Sequence, residues 1–237
     1  MNLRTVIIVL TLLAAATLPI AVRLSVAENI TQPLRIKPLE NIQKAVQPLK
    51  AKKIDVALIL KTKRCVGCDL REINLSGLDL SGADLRNTDL SRANLKNTKL
   101  KDAKMSGARL NQANLTYADL DGADFQESDL KGADLSNAQL LNTNLAKANL
   151  SMATLNRTEL RDADLTGAKL ENANLSNATL VGAHMTGANL TGANFNNAVL
   201  RYADLTKAIL IKTNLKGADL SLAIMPDGTT VYGTTEY

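Results

Sequence analysis

Two cysteines three residues apart, in Cys65-Val66-Gly67-Cys68, have the type and spacing most suited to chemistry, because a C-x-x-C unit can cycle between dithiol and disulfide. As a catalyst such a pair normally sits in a thioredoxin-type strand–helix–strand unit, and the sequence offers none around it. The other reading is a structural disulfide. His184, the single histidine, stands in Ala183-His184-Met185 where most equivalent positions carry Asp or Asn, so it reads as a variant of a surface position. One His and two Cys leave little material for a three- or four-ligand zinc site or a His-based triad. Carboxylates such as Asp79, Asp84 and Asp89 recur every five residues, so their pairing follows from the period and gives no evidence of acid/base catalysis. Sequons such as Asn174-Leu175-Ser176 arise the same way. The expectation is a non-enzymatic chain with no cofactor and no metal site.

The residues that must position these groups are small and regular. Aromatics make up 3% of the 237 residues and Trp is absent, yet hydrophobic residues reach 46%, so Leu and Ala must carry the burial. From Leu70 to Met225 a large apolar residue occupies every fifth position, 32 in succession, with Met105, Phe125, Met185, Phe195 and Met225 as the departures from Leu. Two residues before each centre sits a small residue, as at Ala83, Thr88 and Ala93; Cys68, Ile73, Leu78 and Ser128 depart from that rule. Between the two comes Asp or Asn in most repeats.

No straight element accepts this pattern. On an α-helix five residues turn through about 500°, so successive centres would precess around the surface. In a straight strand an odd spacing would send them to alternate faces. The centre and the residue two before it share one face of a short extended segment, and a bend in the next two or three residues restores the inward direction. Glycines such as Gly82, Gly107 and Gly122 fall two residues after a centre, where a positive-φ turn is easiest. Met105, Phe125, Met185 and Met225 differ by multiples of 20, which favours a circuit of four segments. Thr88, Thr98, Thr143, Thr158 and Thr213 should face inward with each hydroxyl on a backbone carbonyl.

The tandem seen in Gly82-Ala83-Asp84-Leu85-Arg86 and Gly187-Ala188-Asn189-Leu190-Thr191 resembles the pentapeptide-repeat proteins, over residues 68–227. That resemblance implies an all-β fold, a right-handed quadrilateral β-helix of about eight coils, with a short N-terminal helical cap expected before it. The stretch Thr62 to Leu70 is similar to the entry to the first coil in exported cyanobacterial and plastid thylakoid-lumen members, which implies a lumenal or periplasmic address. Quinolone-resistance members, which resemble DNA and bind gyrase, supply one alternative function; a C-x-x-C redox protein is another.

The ends read differently from the body. Residues 1–27 have the form of a signal peptide: Arg4, an uncharged run from Thr5 to Val22, and Ser25-Val26-Ala27 at a cleavage site. An uncleaved membrane anchor is the alternative; cleavage would leave no membrane span. Export into an oxidising compartment favours the structural disulfide for Cys65 and Cys68. Residues 28–50 form an extended basic leader and 51–67 a cap, with a helix over Lys52 to Leu60 expected to lay Ile54, Ala57 and Leu58 on the first coil. Residues 28–69 carry nine basic and four acidic side chains, while residues 70–237 have a net charge of −2. Residues 228–237 form a C-terminal tail, with Thr229 to Tyr237 suited to one covering strand; failing that, this edge is where a homodimer would form.

A basic stretch that includes Lys96, Lys99, Lys101, Lys104 and Arg109 precedes an acidic one that includes Asp119, Asp121 and Asp124. These are the candidate surface for an unidentified protein partner, with no nucleic acid expected. Neighbouring coils of opposite sign could instead pair with each other.

Overall fold

The computed structural model describes residues 55–232. The expected signal peptide, the basic leader and residues 51–54 of the cap lie outside the described residues, as do residues 233–237 of the tail.

From Arg64 to Ile224 the backbone forms parallel bridges between residues 20 apart, as in Asp69 to Asp89, Asn74 to Asn94 and Asp204 to Ile224. Each circuit therefore holds four five-residue segments, as the spacing of the Met and Phe centres indicates. We number the sides by their centres: Cys65, Leu85 and Met105 begin the first, Leu70 and Leu90 the second, Leu75 and Leu95 the third, Leu80 and Leu100 the fourth.

The motif follows from hydrogen-bond accounting. A buried or half-buried amide needs an acceptor, and each repeat has five. The N–H of a centre, such as Leu110, donates to the next circuit at Asp129 O (2.7 Å), and that of Gln112, two residues on, to Lys131 O (3.0 Å). The N–H before the centre donates to the circuit below, as Arg109 does to Thr88 O (2.9 Å). The N–H of the small residue closes the corner, as Ala113 does on Leu110 O (3.0 Å). The fifth, one residue after the centre, is met by the Asp or Asn side chain two residues earlier: Ser81 N donates to Asp79 Oδ1 (2.9 Å), Thr116 N to Asn114 Oδ1 (3.0 Å), and Ser136 N to Asp134 Oδ1 (2.9 Å). That Asx turn is why Asp and Asn recur.

Every corner from Gly67 to Leu222 has its third turn residue at positive φ, a role filled by Gly, by Asn as at Asn87, and by side chains as large as Tyr117 and Met152. None of these positions carries a β-branched residue, for which the left-handed region is most strained.

Leu, Met and Phe centres from Leu70 to Leu205 are at most 1% exposed, with Ala, Thr or Ser beside them in the bore from Ala83 onward. The inward threonines do as expected: Thr88 Oγ1 donates to Cys65 O (2.6 Å), Thr143 to Leu120 O (3.0 Å) and Thr213 to Leu190 O (2.8 Å). Thr98 and Thr158 repeat the arrangement.

At the N-terminal end of the described residues a helix, α1 (Val56–Thr62), is capped by Asp55, which accepts from Ala57 N and Leu58 N. This shifts the expected helix: Asp55 begins it instead of lying within it, so Ile59 is the residue buried against the core, with Val56 and Leu60 beside it. Ala57 is exposed, Leu58 is 55% exposed, and Ile54 lies outside the described residues. At the other end Gly228 closes a turn on Met225 O, and Val231 exchanges backbone bonds with Leu222 and Ala223, so the chain returns antiparallel over part of the last circuit.

Candidate functional site

Cys65 occupies the first-side slot that Leu85, Met105 and Phe125 fill above it, and Cys68 the small-residue slot of Thr88, Ala108 and Ser128. Their sulfurs are 1.98 Å apart, with Cα atoms 5.4 Å apart, so the pair is a disulfide across the first corner. Cys65 is buried and Cys68 partly exposed.

The lysines of the candidate surface form a belt on one circuit. Lys96 lies at the corner after the third side, Lys99 on the fourth side, Lys101 at the next corner and Lys104 on the first side; Arg109 follows on the second. All five are exposed. The acidic residues do not form a separate zone: Asp119 bridges directly over Lys99 and Asp124 over Lys104, and Asp121 O accepts from Asp102 N beside Lys101. These acids hold backbone together. Asp119 accepts from Asp121 N, Asp121 from Leu141 N, and Asp124 from Gln126 N and Asn144 Nδ2. Arg109 pairs with Asp89 at 3.0 Å, whereas Lys96, Lys99, Lys101 and Lys104 appear in no ion pair among the described residues.

Lys99, Lys104 and Arg109 stand where most repeats carry the Asx acceptor. They are the one place in the described repeats where three successive positions forgo it. Period-five spacing revealed the belt's charge but not this departure, because the role of Asp and Asn emerges only from the amide accounting.

Elsewhere on the surface, ion pairs are local or run between circuits. Arg71 pairs with Asp69 at 2.6 Å and Arg92 with Glu72 at 2.6 Å, lining a shallow cleft of ≈ 390 Å³. The Arg71 guanidinium hydrogen bond holds the Asp69 carboxyl down at about 2, and Arg86 does the same for Asp84. His184 is exposed, bridging between Asp164 and Asp204 on neighbouring circuits. No group of side chains among the described residues has the makings of a metal site. No helix among them is long and apolar enough to cross a membrane.

Stacked short segments with a filled bore define a tandem-repeat solenoid, in which each unit packs only against its neighbours. The chain belongs to the pentapeptide-repeat family: the family model for pentapeptide repeats, in 8 copies, matches residues 64–102, 93–132, 123–162, 158–197 and 188–225. Membership implies a right-handed β-helix. The chain is 32% identical to HetL, a pentapeptide repeat protein involved in heterocyst differentiation regulation from the cyanobacterium Nostoc sp. strain PCC 7120, over 75% of this chain and 100% of that one (TM-score 0.39). It shares the fold of QnrB1, a plasmid-mediated fluoroquinolone resistance protein, at 24% identity over 66% of this chain and 88% of that one (TM-score 0.50). A pentapeptide repeat protein from the Arabidopsis thaliana thylakoid lumen is 29% identical over 56% of this chain and 71% of that one (TM-score 0.26). Comparison with curated proteins finds no match.

Proposed function

We propose that the chain is an exported, non-enzymatic scaffold, a rod of eight coils about 38 Å long at the ~4.8 Å ladder spacing, whose basic belt binds a protein partner. The observation that carries this reading is the run Lys99, Lys104 and Arg109. A fold that stabilises its corners with Asx acceptors gives them up at three successive repeats and places exposed cations there instead. Such a local breach of the packing rule is expected where a surface serves recognition. Export rests on the signal-like residues 1–27, and the thylakoid lumen or periplasm as the compartment rests on the likeness of Thr62 to Leu70 to the entry of the first coil in lumenal family members.

Restoring the acceptors tests the role of the belt. A Lys99→Asn, Lys104→Asn, Arg109→Asn triple variant should be at least as stable as the parent and lose partners that the parent captures from the source organism's extract. Capture of the same partners by both would reject the belt as a binding surface. Fractionation with N-terminal sequencing of the mature chain tests export, and a mature N-terminus at Met1 would reject cleavage.

The gyrase-binding reading has less support. Along the first, second and fourth sides the acids are interrupted by Lys or Arg, as in Asp79, Lys99 and Asp119, so no side is an uninterrupted row of negative charge. Protection of gyrase from a quinolone by the purified protein would revive it.

A further inference from the structure

We propose that the Cys65–Cys68 bond is a reversible thiol–disulfide exchange site, reduced and re-formed by an external dithiol protein while the coils stay folded. The chain would then be a target of such a protein, not itself the catalyst.

The corner does not need the bond. From Ile73 to Ala223 every later corner closes the same turn with a backbone hydrogen bond and a positive-φ residue, and none of them is covalently braced. A disulfide around a four-residue loop also restrains the unfolded chain little, by about 2 kcal/mol on the chain-entropy relation. A brace meant for stability would close a longer loop.

The corner can also tolerate losing it. Cys68 sits in a slot that takes Ala, Ser or Thr on the circuits above, so a free thiol, which packs as a small apolar group, fits there. Backbone ties flank the sulfurs without using them. Cys65 N donates to Asp84 O (2.9 Å) and Gly67 N to Arg86 O (2.9 Å), while Cys68 O accepts from Asp89 N (2.8 Å). These bonds persist when the S–S bond opens.

The corner is open to an attacking thiolate. Val66 is 41% exposed, Gly67 is exposed, and the space where a Gly67 side chain would stand is empty to 4 Å. Of the two cysteines, Cys68 is the less buried residue. The reductant's thiolate attacks Cys68 Sγ, forming a mixed disulfide, and the Cys65 sulfur leaves as a thiolate and takes up a proton. The reductant's second thiol then loses its proton and attacks the reductant sulfur of that mixed disulfide. This releases Cys68 as a thiolate, which is protonated in turn. The external dithiol is oxidised to a disulfide and the protein disulfide is reduced to two thiols, two electrons passing between them.

The test uses the full chain under native conditions with thioredoxin and its reductase, and with dithiothreitol alone, counting thiols by alkylation and mass spectrometry while far-UV circular dichroism follows the fold. The bond should open at a rate within about a hundredfold of that in guanidinium-unfolded chain, with an unchanged spectrum, and thioredoxin should reduce it at micromolar concentration within minutes. Reduction more than a hundredfold slower than in the unfolded chain, loss of the spectrum on reduction, or no reaction with thioredoxin would overturn the proposal. A Cys65→Leu, Cys68→Ala variant, which installs the repeat's own residues, should fold with a spectrum matching the parent's. Its failure to fold would show that the bond is structural.

Discussion

Replacing Asp134 probes the amide accounting at a single atom. Its Oδ1 accepts from Ser136 N at 2.9 Å and from the Ser136 hydroxyl at 2.6 Å. The hydroxyl can turn to water, but the half-buried amide has no second acceptor in its own repeat. Asp134→Ala should therefore remove one net hydrogen bond, about 1 kcal/mol. Spread over the roughly 180 described residues, with an unfolding entropy of about 2.1 cal/mol/K per residue, that lowers the melting temperature by about 3 °C. Locally, about 1 kcal/mol is a roughly fivefold loss of hydrogen-exchange protection at the Ser136 amide. Asp134→Asn keeps the oxygen in place and should change neither quantity measurably. Asp134→Glu moves the carboxylate one methylene further out and should behave like Ala. The assay is native-state hydrogen exchange by NMR, with calorimetry in parallel. Equal damage from Asn and Ala would show that charge, not acceptor geometry, is what the position supplies, and unchanged Ser136 protection in the Ala variant would refute the Asx role outright.

Other perturbations test the bore, the corners and the surface charge. Leu145→Ala, at a fully buried centre, should lower stability by about 2–5 kcal/mol in denaturant titration; a loss under 1 kcal/mol would mean that the bore is not close-packed. Gly187→Val places a β-branched residue at φ +67°, where an added Cβ meets nothing within 4 Å, so backbone strain should cost more than about 1 kcal/mol in denaturant titration and no loss would contradict the positive-φ corner. Several carboxyls are held below their ordinary value: Asp69 and Asp84 by Arg hydrogen bonds, Asp219 by the Ser221 hydroxyl and amide, and Asp204 chiefly by the Thr206 hydroxyl. A depressed folded-state pKa gives stability that is present above pH 4 and lost as the pH falls toward 2. Stability should thus be flat from pH 7 to 5 and decline below 4; a rise on acidification would reverse the assignment.

The circuit was legible from the sequence because a five-residue period with inward Leu and Ala admits few backbones, and the common column of Met105, Phe125, Met185 and Met225 pointed to its length. Inward hydroxyls such as Thr143 were legible too, since a buried donor must find a carbonyl. The duty of Asp134 and its equivalents was not, because its amide is orphaned only once the other four amides are assigned. Helix α1 was misplaced because its apolar residues suit two registers two residues apart, Ile54, Ala57 and Leu58 or Val56, Ile59 and Leu60, and the Asp55 cap, a local polar contact, chooses between them. The belt of Lys96 to Lys104 was visible as charge, but its wrap around a single circuit and the engagement of Asp119, Asp121 and Asp124 in backbone bonds depend on the stacking.

Distances between spin labels placed along one side measure the stacking directly. Position 109 paired with 189 or with 209, all on the second side, is separated by four or five circuits, which at about 4.8 Å each puts the backbones roughly 19 and 24 Å apart. Twenty residues should therefore lengthen the distance by about 5 Å. An increment of 15 Å or more per twenty residues, or a distance that does not grow with the number of circuits, would contradict a chain wound in four-sided coils.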